Sequence, residues 1–421
     1  MNQRKINRVS TGRHKMGIDG IKLAVIMVGL MVAIAVFLVV VGNVDLSHIG
    51  VRNTEDDYIE DSTTDVIVND RFVSGPPLRL PAAAADALFY YEEGGLLELP
   101  LIGATGWVAV STALRATASN DGDEITAMQP GTGFTILADS GDWWRVELPD
   151  GTTGWVDWRR CFVNLPDVLP SIVYNITNAS ASSFRSSGYA LAGITGQPLY
   201  SARAFNARLG RYEYIVPAML PMARALFGAQ QQAQQIGHTL VIYEAFRPQS
   251  AQTAMANAVQ ALMRDNASAN DAITRSSWPL IWFISTGTSN HQRGGTIDVT
   301  LARIGNVEVL QTGAYSFVRV TNHTEMAAIS PIHEMGPASA ITETPRGITT
   351  LQIINETANL TGAAMTSGIA RMQLILATAG LNPLSSLWWQ FDHSPSITMA
   401  TSSGIVGDFY TATVYSVPPT R

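Results

Sequence analysis

Hydrophobic and polar positions divide the chain into stretches of different period. Residues 23–41 (LAVIMVGLMVAIAVFLVVV) are apolar at almost every position, and no charge occurs between Lys22 and Asp45. A helix of that length crosses a hydrocarbon core of about 30 Å, so a transmembrane helix is expected over 23–41. A cleaved signal peptide would have a shorter apolar core followed by an A-x-A site, and neither is present. Residues 42–103 are acidic and polar, with Pro76, Pro77, Pro81 and an alanine run, and read as a stalk or linker. Within them, 88–91 and 96–101 are candidates for a short helix and a strand packing on the next folded unit. Residues 104–164 carry short apolar runs separated by Gly/Asp turns: 107–110 alternates, 134–138 ends at Asp139-Ser-Gly-Asp142, and Pro149-Asp150-Gly151 separates 143–148 from 154–156. That punctuation predicts a small all-β barrel. Residues 165–421 mix periods. Helices are expected over 218–236 (stopped by Gly237), 249–264 and 363–379, and strands over 238–243, 296–301 and 317–321, giving an α+β domain.

Charge orients this arrangement. Arg4, Lys5, Arg8, Arg13, Lys15 and Lys22 make 1–22 a basic segment, whereas Asp45, Glu55, Asp56, Asp57, Glu60, Asp61 and Asp65 come after the apolar run with only Arg52 among them. The positive-inside bias puts the N-terminus in the cytoplasm and the rest of a single-pass chain outside. Only 14% of the 421 residues are charged, against about 25% in typical soluble domains. That suits a chain that meets lipid or has a neutral surface outside the cytoplasm. A net charge of −7 offers no overall basic footprint for nucleic acid, and no nucleic-acid partner is expected. The single cysteine, Cys161, excludes an internal disulfide and a Cys-rich zinc module, so a metal site must draw on seven His and the carboxylates.

Three segments carry candidate chemistry. Ile242-Tyr-Glu-Ala-Phe-Arg247-Pro248 is a strand exit ending in an arginine, which can clamp a carboxylate bidentately or form an ion pair. In Ser289-Asn-His291-Gln-Arg-Gly294-Gly-Thr-Ile-Asp298, a His in a Gly-containing loop precedes an Asp that enters an apolar strand. A carboxylate buried in an apolar run is costly unless paired or metal-bound. His nitrogen and Asp oxygen both suit zinc, although a structural His–Asp pair would satisfy the same pattern. The third segment is Leu387-Trp-Trp-Gln390-Phe-Asp392-His393, which otherwise reads as aromatic core.

These residues carry two resemblances. The order WVAVSTALRATAS…GFTILADSGDWWRVELPDGTTGWV resembles the bacterial SH3 family, which implies a cell-wall or peptide-binding module over 104–164. Trp144 and Trp155 are expected in its core, with Trp143 and Trp158 as candidate ligand contacts. The S-x-H-x-x-G-x-x-x-D pattern, the A-F-R-P before it and the late W-W pair resemble the D-alanyl-D-alanine dipeptidase and carboxypeptidase family over roughly 198–393. Residues 194–200 and the segment around Gly336 fit more loosely. These are zinc peptidases of bacterial cell-wall metabolism. The resemblance implies a zinc cofactor held by His291 and Asp298, substrate contact by Arg247, Ser289 near the substrate, and a stem peptide ending in D-Ala as ligand.

The chain departs from the family in its third motif, usually E-W-W-H. Leu387 stands where the family has its general base, and Gln390 where it has the third zinc ligand. Leucine cannot accept a proton, a function worth on the order of 10²–10⁴-fold in rate. Three readings stay open. One is a degenerate domain that binds D-alanyl peptide ends without hydrolysing them. Another is an active zinc D,D-carboxypeptidase or dipeptidase whose missing groups come from Asp392, His393, His333 or Glu334. The last is weak activity that persists with an incomplete site, and beside all three stands a non-enzymatic wall-binding scaffold. His393 reaches the face of Gln390 only if that segment is helical.

Overall fold

A computed structural model describes residues 87–176, 183–200, 203–356 and 360–420. The basic segment 1–22, the expected transmembrane helix 23–41 and most of the stalk lie outside the described residues. Among the described residues, no helix is long and apolar enough to cross a membrane.

Residues 105–164 form an antiparallel sheet. Its strand order is Pro217–Ala218, Cys161–Asn164, Thr105–Val108, Gly133–Ser140, Trp143–Glu147, Thr153–Asp157, Thr112–Arg115 and Glu124–Met128. The all-β expectation for this region agrees with the structure. The assignment of its tryptophans changes. On Trp143–Glu147 the inward positions are Trp144 and Val146, and on the paired strand Thr153–Asp157 they are Gly154 and Val156. Trp155 therefore faces outward, half-buried, opposite Arg145 on one side and Arg115 on the other. Trp158 lies in the short turn after that strand and folds inward. It stacks on Trp144 at 6.2 Å and donates its indole N–H to the Gly141 carbonyl at 2.8 Å. The core pair is thus Trp144 and Trp158, not Trp144 and Trp155.

The second sheet has seven strands. Leu88–Phe89, Tyr315–Glu325, Thr296–Thr312, His238–Glu244 and Val173–Tyr174 run in that order, while Leu387–Asp392 pairs with the start of Thr296–Thr312 and carries Asn382–Leu384 at its edge. Helices Leu220–Gln235, Gln249–Asp265, Ser367–Thr378 and Ser394–Ser402 pack around it. Six of these elements, three helices and three strands, fall where the apolar periodicity predicts them. Gly237, with φ +71°, ends the Leu220–Gln235 helix and lets the chain reverse into His238–Glu244.

Two boundaries differ from the expected ones. From Ala87 the segment expected as stalk is folded: Leu88–Phe89 adds a parallel edge to Tyr315–Glu325, a short helical turn follows at Tyr90–Glu93, and residues 97–101 are all buried without forming the expected strand. Nor do 104–164 and 165–421 separate. Pro217–Ala218 pairs with Cys161–Asn164, and Phe162 packs on Phe246 at 5.4 Å and Phe409 at 6.2 Å. The C-terminal segment returns to the first sheet, with Val417 N–H donating to the Gly103 carbonyl at 2.8 Å and Tyr415 N–H to Thr105 Oγ1 at 2.9 Å. One continuous apolar core spans both parts.

Candidate metal centre and cleft

The loop before Thr296–Thr312 is built by its own sequence. Ser289 caps the short turn Asn290–Arg293, and Gln292 reaches back to the Ser289 N–H at 3.0 Å, a reciprocal capping box. Gly294 ends the turn at φ +61°, and a Cβ there would lie 2.6 Å from the Phe162 ring. Only glycine combines that conformation with that contact. The result is a loop folded back so that His291 points inward. Its Nδ1 lies 2.7 Å from the Ala245 carbonyl. A carbonyl only accepts, so Nδ1 carries the proton and Nε2 presents its lone pair.

Asp298 sits where three strands meet. Its register partners are Glu244 on one side and Gln390 on the other. It is 1% exposed, with His291 Nε2 3.4 Å from Oδ1 and His333 Nε2 3.3 Å from Oδ2. Burial works to raise the Asp298 carboxyl, but the closeness of the His291 and then the His333 imidazole outweighs it and holds the group below the usual carboxylate range.

Arg247 closes the other side. It donates to both oxygens of Glu244 (Nε to Oε1 at 2.9 Å) and from Nη1 to Gln252 at 2.6 Å, and its Nη2 lies 3.5 Å from Asp298 Oδ2. Tyr200 also donates to Glu244. Burial would lower the guanidinium pKa, and the Glu244 charge and hydrogen bonds more than reverse that. Arg247 thus forms an ion pair, as one reading of its motif had it, but a buried one, and its partner Glu244, with Gln252 and Tyr200 around it, was not anticipated. Its one sequence signal is the Glu three residues before the Arg.

A cleft of about 340 Å³ opens over this cluster. Arg247, Asp298, Ser289, Leu387 and Gln390 all line it, so the structure gathers five of the predicted site residues around one space. Ile281, Trp282 and Phe283 form an apolar wall that no motif announced. Asp392 also lines it, held by Thr296 Oγ1 at 2.5 Å and Asn290 Nδ2 at 2.9 Å, with its carboxyl raised by burial. His393 is elsewhere. It caps the helix Ser394–Ser402, its Nδ1 lies 2.8 Å from Ser396 Oγ, and burial pushes the imidazole down to about 4. His393 lies just beyond the strand Leu387–Asp392, at the N-cap of the next helix, and does not join the cluster. Glu334 also turns away, accepting from Gly188 N–H at 3.1 Å and lying 3.6 Å from Arg185 Nε.

These residues fit a divalent cation. His291 Nε2 and both Asp298 oxygens are buried without a hydrogen-bond partner among the described residues. Unpaired buried acceptors of this kind are costly, and a metal ion would satisfy all three. Glu244, Asp298 and Arg247 together leave one net negative charge, which a cation offsets. The donor chemistry, imidazole nitrogen plus carboxylate oxygen with no thiolate, suits zinc.

The bacterial SH3 domain model matches residues 110–160, and the D-ala-D-ala dipeptidase model matches residues 214–401. A search of curated proteins gave no match.

Proposed function

From a chain that carries a bacterial SH3 domain followed by a D-ala-D-ala dipeptidase domain, we propose a cell-wall protein whose cleft holds zinc and binds the D-alanyl ends of peptidoglycan stem peptides, with hydrolysis reduced to a slow residual rate. The observation that carries this reading is the pair of unpaired buried donors, His291 Nε2 and the Asp298 carboxylate, beneath a cleft whose general-base position is Leu387. His291 and Asp298 would hold the ion. Bound zinc would polarise a water and the amide carbonyl of a peptide.

The chain's own groups do the rest. Arg247, fixed by Glu244 and Gln252, presents positive charge at the cleft floor, where a C-terminal carboxylate or a developing oxyanion gains most. The wall of Ile281, Trp282 and Phe283 excludes water and receives the methyl groups of D-alanine. Leu387, 2% exposed, has no atom that takes a proton. Hydrolysis with a relocated base is the second reading, and Asp392 favours it as a cleft-lining carboxylate whose burial raises its basicity. For the whole protein, residues 23–41 would anchor the chain with its N-terminus in the cytoplasm. The SH3 domain would add a second hold on the wall, with Trp143 and Trp155 as its outward aromatic rings.

Calorimetric titration tests the proposal, using a stem peptide ending in D-Ala-D-Ala against zinc-loaded and chelated protein. Saturable binding that requires zinc, is lost with the L-Ala-L-Ala peptide and weakens in Arg247→Ala is expected. Equal binding of both peptides, or no binding, overturns it.

A further inference from the structure

We propose that His333 is the third protein donor of the metal site, in place of the residue at position 390. The assignment rests on the reading that the cleft holds a metal, and it concerns a residue outside the motifs that suggested that reading.

The argument begins with spacing. Two donors about 2.0–2.1 Å from a zinc ion in tetrahedral geometry lie about 3.3–3.4 Å apart. His291 Nε2 is 3.4 Å from one Asp298 oxygen, and His333 Nε2 is 3.3 Å from the other. Both separations exceed a good charge-assisted hydrogen bond of about 2.7–2.9 Å. They match the spacing of donors on one ion better than donors bonded to each other, and ligand atoms of His333, Asp298 and Glu244 lie within 4.8 Å of one another.

His333 is also held in the manner of a ligand. Its Nδ1 lies 3.0 Å from Ser183 Oγ, which leaves Nε2 directed at Asp298. A metal-bound imidazole commonly has its other nitrogen oriented in this way. The ring stacks on Phe184 with centroids 4.1 Å apart and an interplanar angle of 10°, and Trp389 and Tyr243 meet it edge-on at 6.2 and 6.0 Å. The backbone adopts φ +65°, a strained conformation for a non-glycine residue that persists where surroundings enforce it. Here the Arg185 N–H bonds the His333 carbonyl at 3.1 Å and fixes the turn.

The competing donors are disposed of by contact. Both Glu244 oxygens are taken by Arg247, with Tyr200 on Oε1 as well. Gln390 neighbours Asp298 but offers only a neutral amide oxygen, a weak zinc ligand. His291, Asp298 and His333 would then supply two imidazole nitrogens and one carboxylate to the ion.

The test measures metal binding, not turnover. The apo chain is titrated with zinc in competition with a chromophoric chelator, and with cobalt(II) followed by its visible absorption. His333→Asn keeps a residue that tolerates positive φ and removes the donor. The native chain is expected to take up one ion. His333→Asn should lose more than about 100-fold in zinc affinity, beyond the 10–100-fold that an outer-shell change costs. Ser183→Ala, the milder variant, should fall within that 10–100-fold range. Gln390→Ala should leave affinity and cobalt spectrum unchanged, and Gln390→His should restore binding to His333→Asn. Native affinity and spectrum in a folded His333→Asn protein, or loss of metal in Gln390→Ala, overturns the assignment while leaving the metal site in place. A native chain that takes up neither ion overturns the underlying reading together with it.

Discussion

Removing the Arg247 guanidinium tests the electrostatics beneath the cleft. In Arg247→Met the side-chain volume is roughly kept, so the change isolates charge and hydrogen bonding. Two bonds to Glu244 and one to Gln252 disappear, together with the 3.5 Å approach to Asp298. Glu244 is fully buried, and Tyr200 still donates to it. Breaking a buried pair by removing one partner costs about 3–5 kcal/mol, because an uncompensated charge is left in a medium that solvates it poorly. Urea denaturation followed by tryptophan fluorescence measures the loss, with metal chelated so that its binding adds no stability of its own. Adding Glu244→Gln removes the stranded charge, so the double variant should be more stable than Arg247→Met by at least about 1 kcal/mol. A loss below about 1 kcal/mol in the single variant, the size of an exposed pair, would refute the picture of a desolvated cluster.

Further expectations concern the parts that build and support the site. Gly294→Ala, which sets a methyl against Phe162 at positive φ, should cost about 1–3 kcal/mol and weaken zinc binding by displacing His291; chelator competition reads the second effect. Trp144→Ala should cost about 3–5 kcal/mol and Trp155→Ala much less, because only the first ring is enclosed; paired urea melts compare them. Glu98 is buried, and burial pushes its carboxyl up to about 7 against the lowering effect of its Ser171 hydrogen bonds. The folded state therefore keeps a proton that the unfolded state releases. The stability this contributes is fully present below about pH 4.5 and is lost as pH rises through about 7. Glu98→Gln should flatten that part of the pH profile of the urea midpoint.

The parts of the site most legible in the sequence are those whose chemistry is packed into one short segment. Ser289, His291, Gly294 and Asp298 lie on a single loop-to-strand run, and its internal capping and one positive φ bring them together without outside help. Leu387 and Gln390 were legible as substitutions only through the resemblance to the family's E-W-W-H motif, and the structure sets their strand beside Asp298. His333 was one candidate among several. Its approach to Asp298 depends on a left-handed turn and on Phe184 and Ser183 from a distant segment, which no local period encodes. The merging of the two folded parts was hidden because it runs through a two-residue strand, Pro217–Ala218, and a C-terminal segment without regular structure. The tryptophans of the SH3 domain were misassigned because Trp158 lies beyond the strand end, where alternation no longer decides which way a side chain faces.

D-alanine release tests the central claim most directly. The zinc-loaded native chain and its Leu387→Glu, Gln390→His variant are incubated with a stem peptide ending in D-Ala-D-Ala, and free D-alanine is monitored with time. The account predicts slow release by the native chain and release about 10²–10⁴-fold faster by the variant, the worth of a restored general base. Release by the native chain at a rate that the variant does not exceed would contradict it, and Asp392 would become the first residue to replace.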